Sequence, residues 1–261
     1  MAADSTTTVA NQAEKRGASF AIILAFVVIL VAVFCVAYGL QTLAWIESKQ
    51  WASANPWLNN IPQPLPSGSP ATKGSQVRAY DYEFISPWGA AEPKATLTYS
   101  EFHFTPGQIV VFFDPDSQLD TMRTLKSSNP LEYQKFQNVF IDHPIETNYA
   151  LYQAVYGAAP SQLSPFMSSR DAMRMNVLLL WKLSFAFDMG TEISSFDFGN
   201  NKGFQFGDPA KGSPVAVRLF DERARHHRFI FLVAAGKTVQ ITQEQIATVL
   251  SSLKPVPILE R

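Results

Sequence analysis

The segment Asp221–Arg228, with the sequence DERARHHR, holds the densest group of side chains that can exchange protons or form ion pairs. Adjacent residues of a strand point to opposite faces, so His226 and His227 are poorly placed to share one metal ion. Either imidazole could pair with Asp221 or Glu222 across a turn. A histidine exposed in such a loop would titrate near neutral pH.

Two interpretations of this segment stay open. In the first it is a solvated, charge-balanced hairpin tip, because strand-like runs flank it on both sides. In the second it is a loop that contacts a protein partner. The candidate partner-binding residues are then Arg223, Arg225, His226, His227 and Arg228.

Two other groups of polar residues could form a site. Asp114, Asp116 and Asp120 offer the oxygen ligands that hard cations prefer, but the remaining ligands and the glycine of a calcium loop are missing. Followed by a helix beginning near Leu119, these aspartates instead predict turn and helix-cap roles. Asp142-His143 is similar to the carboxylate–histidine pair of hydrolases.

Motifs that would support catalysis are missing from the sequence. It has no nucleophile elbow, no zinc-protease helix, no phosphate-binding loop and no dinucleotide-binding glycine pattern. We therefore predict no metal and no cofactor. An enzyme or small-ligand-binding domain, using Asp142 and His143 or the Asp114–Asp120 loop, remains the alternative to a binding protein.

The aromatic segment Gly203–Gly207 is the most distinctive local pattern. Glycines at both of its ends predict tight turns or close approach of two backbones. Phe204 and Phe206 could face a ligand, but the pattern favours a strand that turns them toward the core.

The strands and helices that the sequence predicts would position these residues. They indicate a mixed α+β domain over residues 77–261, of mainly antiparallel sheet with helices packed on it. Strands are predicted at Val77–Ile85, Lys94–Thr105, Gln108–Phe113, Ile193–Phe198, Gly203–Phe206, Pro214–Phe220, Arg228–Val233 and Thr238–Ile241. Capping residues predict helices that begin at Asn129-Pro130, at Thr147, at Ser168 or Ser169, and at Thr242.

An apolar run, Phe20–Leu40, precedes this domain and contains no charge and no proline. A helix of this length spans about 30 Å, the thickness of a bilayer core. The uncharged stretch 17–46 is long for a cleaved signal peptide and lacks an obvious cleavage site. We therefore predict a transmembrane signal anchor over residues 17–46, in contact with the lipid bilayer.

The flanks of the anchor predict its direction. Lys15 and Arg16 precede it, whereas Lys49 alone follows closely. By the positive-inside rule the N-terminus is cytoplasmic and the C-terminal domain lies outside the cytoplasm. Residues 1–16 are predicted to be a disordered cytoplasmic tail, and the proline-rich residues 47–76 a juxtamembrane stand-off stalk.

The amino-acid composition limits the classes of function further. A net charge of −1 gives no support to nucleic acid binding, and the sole cysteine, Cys35, leaves the domain without a disulfide. Ala21 and Ala25 have the spacing of interacting membrane helices, so the anchor is one possible interaction module. The leading prediction is a single-pass membrane protein whose extracytoplasmic domain binds a protein partner in an envelope structural, assembly or regulatory role.

Overall fold

The computed structural model describes residues 27–29, 31, 39, 42–43, 45–66, 73–117, 120–185, 192–212 and 214–256. Its central element is an eight-stranded sheet. The strands are β1 (Gln63–Pro64), β4 (Pro93–Ala95), β5 (Tyr99–His103), β6 (Gln108–Phe113), β7 (Ile193–Asp197), β8 (Lys202–Phe206), β9 (Val215–Phe220) and β10 (His226–Val233). Their order is β1-β7-β8-β9-β10-β6-β5-β4, antiparallel throughout except for the parallel pair β1 and β7.

A smaller sheet and one helix cover one face of the large sheet. The small sheet has the order β11-β3-β2, formed by β2 (Ser75–Ala79), β3 (Tyr82–Ser86) and β11 (Lys254–Pro255). The C-terminal helix α5 (Gln243–Ser252) packs beside it. Buried aromatic and aliphatic residues from all three elements form this core: Tyr82, Phe84, Phe102, Phe112, Phe229, Ile246, Val249 and Leu250.

Four helices cover the opposite face: α1 (Thr121–Ser128), α2 (Pro130–Val139), α3 (Asn148–Gly157) and α4 (Ser169–Ser184). Their apolar sides meet the aromatic residues of β8 and β9 in a second core, which includes Met122, Phe136, Tyr152, Tyr156, Leu179, Phe204, Phe206 and Phe220. The chain is therefore a mixed α+β protein with a large, mainly antiparallel sheet as its middle layer. This confirms the predicted class.

Helix starts follow the capping residues of the sequence. The side chains of Asn129, Thr147 and Ser168 each accept a hydrogen bond from the backbone amide three residues later. Thr242 and Gln245 form the reciprocal capping box. Each cap satisfies amides that the first helical turn leaves without a partner.

Three strand predictions differ from the structure. The predicted single strand Lys94–Thr105 is a hairpin, β4 and β5, whose turn is closed by the Thr96 amide, which donates to the Tyr99 carbonyl at 2.8 Å. Val77–Ile85 is a hairpin, β2 and β3, that turns at Tyr80 with a positive φ of 53°. The predicted strand Thr238–Ile241 is a loop. It follows β10, which is already paired on both sides by β9 and β6, so β10 has no free edge for a further strand.

The close backbone approach predicted at Gly203 is confirmed. Gly203 pairs with Leu219 across β8 and β9, and a Cβ at this position would overlap the carbonyl oxygen of Arg218. Phe204 and Phe206, on the same strand, are buried in the second core. Glycine is therefore needed here for space between strands.

We expect Gly203→Ala to lower the free energy of unfolding by about 1–3 kcal/mol, because the added methyl group must push β8 and β9 apart. Gly157→Ala is the matched control, since its methyl group would meet nothing within 4 Å. That control should be neutral or stabilise by about 0.4–1 kcal/mol. Urea unfolding of both variants tests the difference, and equal stabilities would contradict it.

The proline-rich segment lies against the domain over much of its length. Leu58, in the short 3-10 helix Pro56–Asn59, is fully buried, and β1 pairs with β7. The Leu65 amide extends this pairing by donating to the Ser195 carbonyl at 2.8 Å. These contacts differ from the expected stand-off stalk, in which residues 47–76 would keep clear of the domain.

Most of the predicted anchor lies outside the described residues, as do the tail 1–16, Ala21 and Ala25. The residues that are described between 27 and 54 are all helical. Within the described ranges, no helix combines the length and the apolar character required to cross a membrane. The anchor and its orientation stay predictions.

Candidate functional site

The turn between β9 and β10 presents charged side chains on a strained backbone. Ala224 has a φ of 59°, in the left-handed region that costs a residue with a side chain about 1–3 kcal/mol. Two hydrogen bonds close the turn around it. The Ala224 amide donates to the Asp221 carbonyl at 2.8 Å, and the Asp221 amide donates to the Arg225 carbonyl at 3.2 Å.

The Asp221 carboxylate fixes this turn from its buried side. Asp221 is 6% exposed, and its Oδ1 accepts the backbone amides of Arg223 and Arg225, both at 2.9 Å. Its Oδ2 lies 3.0 Å from His227 Nε2 and accepts the Tyr82 hydroxyl at 3.2 Å. Burial raises the pKa of this carboxyl, but the hydrogen bonds from His227 and the two amides outweigh it and hold the pKa below its ordinary value.

The two histidines point to opposite faces of the sheet, as strand geometry requires. The ring of His227 contacts that of Tyr82, with centroids 4.5 Å apart, on the side of the small sheet. His226 stacks on Phe220 at 5.0 Å and lies 5.5 Å from Tyr152, on the side of the helices. Both histidines are buried, so in this structure they support the turn from inside.

The environment of His226 disfavours its protonation. Burial is the largest cause, and the charges of Arg218, His227 and Arg228 add to it, which lowers the pKa of His226 to about 3. Arg218 Nη1 lies 3.4 Å from His226 Nε2 and donates to the Tyr152 hydroxyl at 3.0 Å. His226 is therefore neutral at physiological pH.

Because His226 is neutral in the folded protein, we predict that the folded state loses stability in acid. In the unfolded chain this histidine has a pKa of about 6.5 and binds a proton below that pH. The folded protein excludes this proton down to about pH 3, so the free energy of unfolding falls as the pH drops below 6.5. The loss approaches about 1.4 kcal/mol per pH unit within that window. We expect His226→Phe, which keeps the ring stack, to flatten the slope between pH 6.5 and 5 in urea unfolding. An unchanged slope would contradict the assignment.

A cleft of about 490 Å³ opens beneath this turn. It lies between α1, the start of α3 and the Asp221–Arg225 turn, and its lining residues are Asp120, Met122, Arg123, Lys126, Tyr133, Glu146, Thr147, Asn148, Arg223 and Ala224. Buried Asn148 fixes the floor. Its Oδ1 accepts the Met122 amide at 3.0 Å, and its Nδ2 donates to Asp120 Oδ1 at 2.8 Å.

The rim of the cleft carries three exposed cations, Arg123, Lys126 and Arg223. Among the described residues, none of the three forms a salt bridge. The positive end of the α3 dipole adds to their field, while the carboxylates of Asp120 and Glu146 oppose it. The site is therefore a weakly cationic cleft with charges available to a ligand.

The remaining predicted residues lie around this cleft rather than in it. The exposed Arg225 donates to the Tyr82 hydroxyl at 3.4 Å; this bond, with a smaller contribution from Asp116, raises the pKa of Arg225. The half-buried Arg228 lies 4.9 Å from the centroid of Phe113. Of the five candidate partner-binding residues, Arg223 alone lines the cleft, and partner contact by the set stays a prediction.

The structure brings Asp114 and Asp120 to the end of the sheet at which the β9–β10 turn lies. Asp120 caps α1 by accepting the Arg123 amide at 2.8 Å, and Asp114 accepts the Asp116 amide at 3.0 Å. These are the predicted cap and turn roles. Across the described ranges, no group of three or more acidic, histidine or cysteine side chains is arranged to hold a metal ion.

The Asp142-His143 pair is not among the residues that line the cleft. Both residues are exposed, and the Asp142 carboxylate pairs with Arg170 at 3.0 Å. The sequence reasoning missed the helical side of the cleft, where Arg123 and Lys126 stand three residues apart on α1 after the Asp120 cap. That spacing places both cations on one helix face and was the available signal.

The chain matches no protein family model, no curated protein and no solved structure. Its function is therefore inferred from the geometry of the cleft and from the sequence.

Proposed function

We propose that this chain is a single-pass membrane-anchored protein whose domain, outside the cytoplasm, binds a protein partner in an envelope structural, assembly or regulatory role. The cleft beneath the Asp221–Arg225 turn is the proposed binding surface. One observation carries the proposal: exposed cations that form no salt bridge with a described residue stand beside a strained turn that a buried carboxylate holds in place. Backbone strain maintained by surrounding structure is typical of binding and active sites.

Exposed apolar side chains support the membrane part of the proposal. Val27, Val28, Ile29 and Val31 belong to the uncharged stretch 17–46, and each is between 48% and 59% exposed. Apolar helix surface left uncovered by protein is suited to contact with lipid. A helix with this composition would hold the domain close to the bilayer.

Contacts between the domain and the segment that follows the anchor would then fix how the domain faces the membrane. Lys182 Nζ lies within hydrogen-bond distance of the carbonyls of Leu58 and Asn60 as well as of those of Tyr156 and Ala158. The first pair belongs to the segment that follows the anchor, and the second pair belongs to the end of α3. A partner in the same envelope would therefore meet the cleft in one orientation.

Chemical crosslinking in intact cells, followed by affinity purification of the full chain from gently solubilised membranes, tests the proposal. We expect a protein partner whose recovery falls at least tenfold in Arg223→Glu. Lys237→Glu is the matched control, because Lys237 is also exposed but follows the opposite end of β10. Recovery of the crosslinked chain as a monomer alone would contradict partner binding.

Membrane topology is tested separately. We expect the chain to stay in the membrane fraction after alkaline carbonate extraction, and a C-terminal alkaline phosphatase fusion to be active. Release by carbonate would exclude the anchor, and an inactive but stable fusion would exclude the proposed orientation.

A further inference from the structure

We infer that the cleft binds an acidic peptide segment of the partner. Carboxylates of the peptide bind Arg123 and Arg223, and an adjacent apolar side chain of the peptide packs against Met122 and Tyr133. This inference rests on the proposed function and adds the chemistry of the partner. It concerns the cleft lined by α1, the start of α3 and the Asp221–Arg225 turn.

Two guanidinium groups on the rim favour carboxylates. Arg123 comes from α1, and Arg223 comes from the β9–β10 turn, so the two groups flank the cleft from different elements. The planar guanidinium donates two parallel hydrogen bonds to a carboxylate, which a lysine ammonium cannot do. Because neither group forms a salt bridge with a described residue, a ligand need not displace an internal partner.

The carboxylates of Asp120 and Glu146 exclude ligands of high negative charge density. Both side chains line the same cleft, so a phosphate dianion or a nucleic acid backbone would meet two like charges there. A peptide carries its acidic side chains singly, between backbone amides. Those amides can donate to Asp120 and Glu146, so a peptide satisfies both signs of charge on the rim.

The floor of the cleft adds an apolar contact. Met122 is buried, and Tyr133 is half-buried with the Lys126 ammonium 6.0 Å from its ring centroid. Thioether and aromatic groups adapt to aliphatic or aromatic side chains of a ligand. A volume of about 490 Å³ has room for a few side chains, and it lies in the range of small-molecule pockets.

The test places a photo-crosslinking residue, p-benzoylphenylalanine, at Tyr133 in the full chain expressed in its own membrane. A second variant carries it at the exposed position Glu146, in case the half-buried tyrosine is needed for folding. Mass spectrometry then identifies the crosslinked segment. We expect a peptide with at least two Asp or Glu residues beside an aliphatic or aromatic residue, and a crosslinking yield that falls at least tenfold in Arg123→Glu/Arg223→Glu.

Charge exchange completes the test. Replacing the acidic residues of the crosslinked segment with lysine should restore crosslinking to the Arg123→Glu/Arg223→Glu variant. A crosslinked segment that is neutral or basic, a crosslink to phospholipid, or a failure of the lysine exchange would overturn the acidic-peptide inference while leaving partner binding in place. Recovery of the monomer alone would overturn both.

Discussion

Lys182→Met is expected to lower the free energy of unfolding by about 3–5 kcal/mol, because it removes a buried ammonium that lies within hydrogen-bond distance of four carbonyl oxygens. Lys182 is fully buried, and its Nζ lies 3.0 Å from Leu58 O, 2.7 Å from Asn60 O, 3.1 Å from Tyr156 O and 2.7 Å from Ala158 O. Methionine has a similar length but no donor. The loss is a large fraction of a typical folding free energy of about 5–15 kcal/mol.

The ammonium is the species that makes these contacts at neutral pH. Burial lowers the pKa of Lys182 to about 8, which still leaves the group protonated at pH 7. Two of its acceptors, Tyr156 O and Ala158 O, lie at the C-terminal end of α3, where the helix dipole favours a positive charge. The buried cation is therefore stabilised by carbonyl oxygens, without a carboxylate contact from any residue that the structure describes.

Urea unfolding of the full chain in detergent measures the loss, and Lys237→Met is the exposed control. Hydrogen exchange gives a second readout, because Leu58 and Asn60 lie in the segment that Lys182 holds. We expect residues 56–66 to lose protection before the central sheet does. Unchanged stability together with unchanged protection of this segment would show that other donors satisfy the four carbonyls.

Contacts within a few residues along the chain explain what could be predicted from the sequence. The caps at Asn129, Thr147, Ser168 and Thr242 each join a side chain to an amide three residues away, so residue type alone reveals them. The same holds for the alternation that places His226 and His227 on opposite faces. The mixed α+β class follows from such local patterns.

Contacts between distant segments explain what could not be predicted. β1 is two residues long and lies in a proline-rich segment, and it forms only because β7, about 130 residues later, offers an edge. The cleft joins α1 to the Asp221–Arg225 turn, about 100 residues apart in the sequence. A lysine at position 182 likewise gives no local sign that carbonyls from two other segments will surround it.

Asp221→Ala is expected to lower the free energy of unfolding by about 3–5 kcal/mol and to abolish partner capture through the cleft. The substitution removes the acceptor of the Arg223 and Arg225 amides, and it leaves His227 and the Tyr82 hydroxyl without the carboxylate between them. Without those bonds, the two backbone hydrogen bonds of the turn are left to offset the strain at Ala224. Arg223 should then lose its fixed position on the rim.

The variant Asp221→Asn distinguishes the effect of the carboxylate charge from the effect of its hydrogen bonds, because it removes the charge and keeps an acceptor oxygen. Its amide oxygen can still accept the two backbone amides, and its amide nitrogen then faces His227 Nε2 in place of Oδ2. We expect this variant to lose about 1 kcal/mol and to retain most of its partner binding. Asp142→Ala, which breaks an exposed ion pair with Arg170, should cost less than about 1 kcal/mol.

The order of these three variants decides how the turn works. If the buried hydrogen bonds hold the strained turn, the free energy of unfolding and the amount of crosslinked partner must follow one order. Both should be highest in Asp142→Ala, intermediate in Asp221→Asn and lowest in Asp221→Ala. If Asp221→Asn were as damaging as Asp221→Ala, the charge of the carboxylate would be the essential feature. Full partner recovery with Asp221→Ala would instead show that the cleft does not depend on the turn, and binding would have to be assigned to another surface.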